Sequence, residues 1–236
     1  MGKVPLPGPA AILGVLALPA AIVGTLLLVR WRDRRFRLTV TVDTPEGPRT
    51  GSSVIRIRET RFPKFTQTSN VTYRIWGEAV AVDLPGGETL YAALTGRWRS
   101  LIDLIESAAI AKGTAVPGQP LAGLEEPAGL PARLRMRSGA SGEASGYPVL
   151  IRFRDPANPE TVEIVDPERF GAGLALRSIT IRRTRDPVTR AIEARLPWLA
   201  DRPNGLQKRA PAHIPIGDRA PEQMLLMFHL LAEGHP

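Results

Sequence analysis

The feature that most constrains this chain is an uncharged hydrophobic run near its N-terminus. No charged residue occurs between Val4 and Val29, and residues 9–29 are apolar with the exception of Thr25. A helix crosses the hydrocarbon core of a bilayer with about 20 apolar residues. The apolar core of a cleaved signal peptide, the alternative, is normally about 7–15 residues long. The sequence therefore predicts a retained transmembrane helix, with residues 1–30 as the membrane anchor.

A basic segment, residues 31–37, follows the predicted helix directly. The N-terminal side of the helix offers only Lys3 and the amino group, whereas five arginines and a single aspartate follow the helix. Because arginine and lysine are enriched on the cytoplasmic side of membrane helices, we expect the C-terminal part in the cytoplasm of a bacterial cell, at the inner membrane. A periplasmic location is the alternative. The residues predicted to lie at the membrane surface are Arg30, Trp31, Arg32, Arg34, Arg35 and Arg37.

Small residues form one stripe along the predicted transmembrane helix. Their spacing alternates between four and three residues, and such stripes let helix backbones approach closely in membranes. The members are Ala10, Gly14, Ala17, Ala21 and Gly24. We expect this stripe to pair with another membrane protein or with a second copy of the chain.

The distribution of charge argues against nucleic acid as a partner. The formal charge is +8, but Lys3 contributes one and residues 30–37 a net of four, so residues 38–236 carry +3. Arginines on predicted strands, such as Arg56 with Arg58 and Arg182 with Arg183, have no interleaved aromatic residues and are interpreted as an ordinary solvated face. The absence of cysteine excludes disulfides and thiolate metal sites.

The remaining chain predicts an α+β fold in which antiparallel strands dominate. Residues 38–113 contain an antiparallel meander, with a hairpin whose long loop covers residues 44–50, and then an amphipathic helix at residues 98–112. Ser100 and Asp103 have the spacing of a capping pair, and Gly113 is a plausible helix end. Residues 114–146 are rich in Pro, Gly and Ser and are predicted to be a linker or loop, with a short strand near residues 134–137.

The predicted second β-rich part, residues 147–236, also carries two helices. Asp186 and Pro187 suit the start of a short helix, as N-cap and first helical residue. A final apolar helix is predicted from Pro221 to Leu231. The clearest late strand covers residues 174–183.

No catalytic, cofactor-binding or metal-binding site is predicted. The three histidines, at positions 213, 229 and 235, lack metal-ligand spacing. The serines at 141 and 145 do not have the glycines of a nucleophile elbow on both sides. Asp83, Asp155, Asp166 and Asp186 stand at strand ends or before prolines, where turn and capping roles are common.

Two tracts carry a family resemblance. DTPEGPRTGSSV at 43–54 and GEAVAVDL at 77–84 resemble uncharacterised single-pass bacterial membrane proteins, and residues 154–167 and 179–198 are similar to the same group. The resemblance implies a membrane-anchored domain and no particular activity.

From these observations we expect a non-enzymatic accessory or scaffold protein that presents its domain at the bilayer surface, with no cofactor and no small-molecule ligand. The alternative is a membrane-tethered hydrolase that uses aspartate or glutamate. Its mark would be a pocket in which carboxylates converge and at least one has a raised pKa.

Overall fold

A computed structural model of the chain describes residues 30–62, 71–96, 100–135, 143–171, 173–199 and 231–232. The predicted transmembrane helix and its stripe of small residues lie outside the described residues. The predicted C-terminal helix also lies outside them, apart from Leu231, which belongs to a short strand. None of the helices in the described ranges has the length and apolar character needed to cross a membrane.

The described chain is a β-rich, antiparallel α+β domain with few helices. The strands, in chain order, are β1 (Arg30–Thr44), β2 (Gly47–Arg61), β3 (Val71–Glu78), β4 (Val80–Asp83), β5 (Thr89–Gly96), β6 (Ala128–Gly129), β7 (Arg133–Arg135), β8 (Glu143–Ser145), β9 (Pro148–Phe153), β10 (Val162–Val165), β11 (Ala175–Thr184) and β12 (Leu231–Ala232). The α-helices are α1 (Leu101–Lys112) and α2 (Ile192–Arg195), and short 3-10 helices cover Pro85–Gly87, Pro159–Thr161 and Pro197–Leu199.

These residues divide into two compact units. The smaller contains residues 30–33, 58–62 and 71–74, and the larger contains the rest of the described chain. In the larger unit, one sheet has the strand order β12-β3-β2-β1-β11-β6, and a second has the order β10-β9-β5-β4. Both sheets combine strands from residues 38–113 with strands from residues 147–236, since β1 pairs with β11 and β5 pairs with β9.

The first two strands form a hairpin with a much shorter loop than predicted. Only Pro45 and Glu46 lie between β1 and β2. The Thr44 hydroxyl donates to the carbonyl of Gly47 over 2.7 Å, and Gly47 has φ 113°, a value that glycine adopts without strain. Pro45, Gly47 and Pro48 suggested a long loop, but a strand tolerates proline and glycine near a hairpin end.

The chain passes from one sheet to the other around Ala79, which separates β3 from β4. Gly77 has φ 140°, and a Cβ there would lie 2.8 Å from Ile55 Cγ2. At Gly51 a Cβ would lie 2.0 Å from the carbonyl oxygen of Ala81, so β2 and β4 pass each other in backbone contact. Gly51 and Gly77 therefore allow β3 and β4, which lie in different sheets, both to stay close to β2.

The second sheet has buried residues on both faces. Five consecutive side chains of β5, residues 90–94, are buried. One face packs against Ile192, Leu196 and Leu199, and this cluster contains the edge-to-face aromatic pairs Tyr91–Phe153 (5.8 Å between centroids) and Phe153–Trp198 (5.7 Å). Burial also raises the pKa of the Tyr91 phenol. The short C-terminal helices are thus held by apolar burial, which favours folding by about 25 cal/mol per Å².

Helix α1 confirms the predicted capping pair and the predicted end at Gly113, but it begins at Leu101, later than the predicted start at residue 98. Asp103 N–H donates to the Ser100 hydroxyl oxygen, Ser100 N–H donates to the Asp103 carboxylate, and Gly113 takes the left-handed conformation that closes the helix. The buried side of α1 includes Leu101, Leu104 and Ile105. It contacts β5, as predicted, and also β6 and β11.

The Pro/Gly-rich segment after α1 contributes several buried side chains to the core. Leu121, Leu124, Ala128 and Leu130 are buried, and β6 pairs with β11 through Ala128 and Gly129. The strand predicted near residue 134 is β7, which pairs with β8. The composition of the segment alone does not reveal these contacts.

Candidate membrane-proximal basic surface

The pairing of β1 with β11 brings together arginines that are far apart in the sequence. In the antiparallel register Arg35 lies opposite Thr184, and Arg37 lies opposite Arg182. Side chains of directly opposed residues project from the same face of a sheet. We call the group of Arg35, Arg37, Arg182, Arg185 and Asp186 the basic end of the sheet.

Asp186 is the acidic centre of the basic end. Its carboxylate accepts a hydrogen bond from the Thr184 hydroxyl and another from Arg37 Nη2, at 2.8 Å. These two hydrogen bonds, together with the nearby charges of Arg37 and Arg182, lower the pKa of Asp186. The carboxylate is therefore ionised at neutral pH and links β1 to the end of β11.

This role for Asp186 corrects the predicted helix start. The Asp186 carboxylate is taken by Thr184 and Arg37, and residues 186–190 are not helical. Instead, Thr189 N–H donates to the carbonyl of Val54, and the Thr189 hydroxyl accepts from Val54 N–H at 2.8 Å. The segment is held along β2, and α2 begins later, at Ile192.

The remaining groups of the basic end carry a positive excess. Arg35 Nη1 donates to the carbonyl of Arg185 at 3.0 Å, a contact that neutralises no charge. Arg182 and Arg185 are exposed, and no hydrogen bond or ion pair joins either guanidinium to another described residue. The basic end thus contains four guanidinium groups and one carboxylate, a formal excess of three positive charges.

Of the predicted surface residues, Arg34, Arg35 and Arg37 belong to the larger unit, and Arg34 and Arg37 are half-buried. Arg37 also donates to the Ser52 hydroxyl at 2.9 Å, so it has a structural role within the sheet.

The other predicted surface residues, Arg30, Trp31 and Arg32, begin β1 in the smaller unit, and all three are exposed. Trp31 exposes 67% of its surface. In the same unit the Arg58 guanidinium binds Asp33 through two hydrogen bonds of 2.9 and 3.0 Å, which raise the pKa of Arg58. Asp33, the acidic residue of the basic segment, is thus paired, whereas Trp31 is exposed.

Sequence reasoning missed Arg182 and Arg185 as members of this surface. The alternation of residues 174–183 predicted a strand, and β11 confirms it. Nothing in that alternation indicates that β11 would pair with β1 in this register. The only available signal was the concentration of arginine at the end of the strand.

The aspartates considered in the sequence analysis each have a structural partner in the fold. Asp155 and Asp166 accept backbone N–H groups two residues further on, as turn residues do. Asp83 instead binds the Arg195 guanidinium, and this hydrogen bond lowers the pKa of Asp83. A general acid needs a shift in the opposite direction. In the described ranges no three His, Asp or Glu side chains are grouped so that they could hold a metal ion.

Comparison of the chain with protein-family models, with curated proteins and with solved structures finds no match.

Proposed function

We propose that this chain is a membrane-anchored, non-enzymatic accessory or scaffold protein of the bacterial inner membrane, which presents its β-rich domain at the cytoplasmic surface of the bilayer. Its anchor is the helix predicted within residues 9–29. Its partner is another membrane protein or a second copy of the chain, bound through the stripe of small residues.

The observation that carries this proposal is the position of β1. Its first residue is Arg30, which directly follows the predicted span that ends at Val29. Because Arg30 already belongs to a strand of the domain, the start of the domain would lie at the level of the lipid headgroups. Exposed Trp31 and the exposed Arg30 and Arg32 suit that position, because tryptophan and arginine are enriched at membrane interfaces.

Topology is the direct test. We expect the full chain to resist extraction from membranes by alkaline carbonate, and a reporter fused after Pro236 that works only in the cytoplasm to be active. External protease should spare the domain in spheroplasts. Extraction by carbonate would overturn the anchor, and an active periplasmic reporter would overturn the cytoplasmic placement.

Charge variants test the cause of the orientation. Pro5→Arg combined with Pro7→Arg adds charge before the helix without altering the domain, and replacement of Arg32, Arg34, Arg35 and Arg37 by Gln removes charge after it. Both variants should shift the reporter toward the periplasm, because the charge asymmetry sets the orientation. The matched control replaces the exposed arginines Arg154, Arg169, Arg177 and Arg190 by Gln and should leave the topology unchanged. An equal effect of the control would refute the local charge explanation.

A further inference from the structure

The basic end of the sheet has a charge distribution that the domain does not use for its own folding. Asp186 is already bound by Thr184 and Arg37. The exposed guanidinium groups of Arg182 and Arg185 make no hydrogen bond or ion pair with a described residue, although the charge of Arg182 acts on Asp186. Arg182 lies directly opposite Arg37 in the sheet, and like charges in directly opposed positions weaken a sheet slightly, so this arrangement favours a bound anion.

From this geometry we infer that Arg182 and Arg185 of β11, together with Arg35, bind the phosphate groups of anionic lipids and thereby hold the larger unit against the bilayer. The inference rests on the proposed function, since it requires the anchor to bring the domain to a membrane. It goes beyond that function by adding to the lipid contact Arg182 and Arg185, which are distant in sequence from the basic segment that follows the anchor.

The chemistry of the side chains fits a phosphate ligand. A guanidinium presents parallel N–H groups that match two phosphate oxygens. Because Arg35 is oriented by the backbone carbonyl of Arg185 and Arg37 by Asp186, two neighbours of the exposed arginines are held in place before any ligand binds. Preorganisation of this kind lowers the entropic cost of binding.

The position of the basic end favours a lipid over a nucleic acid. Arg35 and Arg37 lie only a few residues after the predicted span, on the strand that the span leads into. Near a negatively charged leaflet each arginine is attracted to the surface, within about a Debye length. The basic end itself contains no aromatic side chain on which a base could stack.

The test uses the full chain in lipid nanodiscs. Because the chain contains no cysteine, Pro187→Cys gives a single, exposed attachment point beside Asp186 for a donor dye. Acceptor dyes are placed on lipid headgroups. We expect energy transfer to be higher in nanodiscs of phosphatidylcholine mixed with phosphatidylglycerol than in phosphatidylcholine alone. This increment should fall when NaCl is raised from about 0.1 M to about 1 M, which shortens the Debye length from about 10 Å to about 3 Å.

Paired variants assign the effect to the proposed residues. Arg182→Gln with Arg185→Gln should abolish the increment that phosphatidylglycerol produces. Arg154→Gln with Arg169→Gln removes the same charge from exposed positions around β9 and β10. This control variant should retain the increment in energy transfer. A circular dichroism spectrum of each variant shows whether the fold is intact, and Arg182→Lys with Arg185→Lys, which keeps the charge, should restore part of the increment.

Three results would overturn the inference. If phosphatidylglycerol has no effect on energy transfer although the chain is inserted in the nanodisc, the lipid contact is wrong while the anchor stands. If inorganic phosphate at matched ionic strength removes the increment, the site binds free phosphate instead. If a labelled DNA duplex binds the chain in phosphatidylcholine nanodiscs and depends on Arg182 and Arg185, the surface recognises nucleic acid. Failure of the chain to insert would refute the proposed function itself, and the inference with it.

Discussion

At the scale of single residues, Gly51 shows how closely the two sheets of the larger unit approach. Its backbone leaves no room for a side chain, since an added Cβ would lie 2.0 Å from the Ala81 carbonyl oxygen and 3.0 Å from Val82 Cγ2. The obstacle is mainly backbone, which cannot rotate away as a flexible side chain would. The glycine is therefore required by contact between strands and not by a turn.

We accordingly expect Gly51→Ala to destabilise the domain by about 1–3 kcal/mol, the usual cost of overpacking. Gly129→Ala is the matched control, because Gly129 also lies in a strand and nothing stands within 4 Å of an added Cβ. The control should stay within about 0.5 kcal/mol of wild type. Thermal unfolding of the full chain in a mild non-ionic detergent measures both, and equal midpoints would contradict the close approach of β2 and β4.

At the scale of elements, a buried carboxylate fixes the start of α2. Glu78, at the end of β3, is 4% exposed, and its Oε2 accepts N–H groups from Ala191 and Ile192 at 2.7 and 2.9 Å. Its own carbonyl accepts from the Ser53 hydroxyl at 2.8 Å. One residue thus connects β2, β3 and α2, and it provides the helix with the N-terminal acceptor that residue 191, an alanine, cannot supply.

Glu78→Ala should therefore cost about 1–3 kcal/mol, because it leaves the buried Ile192 N–H and the partly buried Ala191 N–H without an acceptor. Glu78→Gln keeps a carbonyl oxygen in the same place and should cost less. Glu126→Ala removes an exposed glutamate and serves as the control. The same unfolding assay applies, and a Glu78→Ala midpoint equal to that of Glu126→Ala would show that Glu78 does not fix α2.

At the scale of the whole molecule, two of the polar links between distant parts of the chain involve aspartates with a lowered pKa. Asp83 binds Arg195, and Asp186 binds Arg37. Asp83 and Arg195 expose 66% and 39% of their side chains, so solvent weakens their interaction. A pair of this kind contributes about 0.2–1 kcal/mol.

The sign of the pH dependence follows from the direction of the shift. The folded pKa of Asp83 lies below its ordinary value of 3.8, so its stabilising contribution is present above that value and is lost as the pH falls through the folded pKa. Asp83→Asn should lower the unfolding midpoint at pH 6, and the difference from wild type should shrink as the pH falls below about 4. Arg195→Gln should reproduce this pattern. A difference that stays constant with pH would show that ionisation of Asp83 does not contribute.

Local patterns in the sequence anticipated the local structure well. The capping pair Ser100 and Asp103 and the closing Gly113 define α1 from neighbouring residues alone, and the alternation of residues 174–183 defines β11 in the same way. Two predictions failed, the long hairpin loop at 44–50 and the helix start at Asp186. The first treated proline and glycine as loop residues, and the second treated aspartate as a helix cap. After Asp186, contacts with Thr184, Arg37 and Val54 outweigh the local preference for a helix.

The sequence by itself determined the class of the domain, since the periods of strands and helices depend on the order of residues along the chain. It also determined where an uncharged run meets an arginine-rich one, at Val29 and Arg30. Only the tertiary structure decided which strands are neighbours, and with them the basic end. Arg37 and Arg182 become partners through a register set by burial of Phe36, Leu38 and Ile181 on the opposite face, and a one-residue slip would expose those side chains. That constraint is shared by two strands and cannot be seen in either one alone.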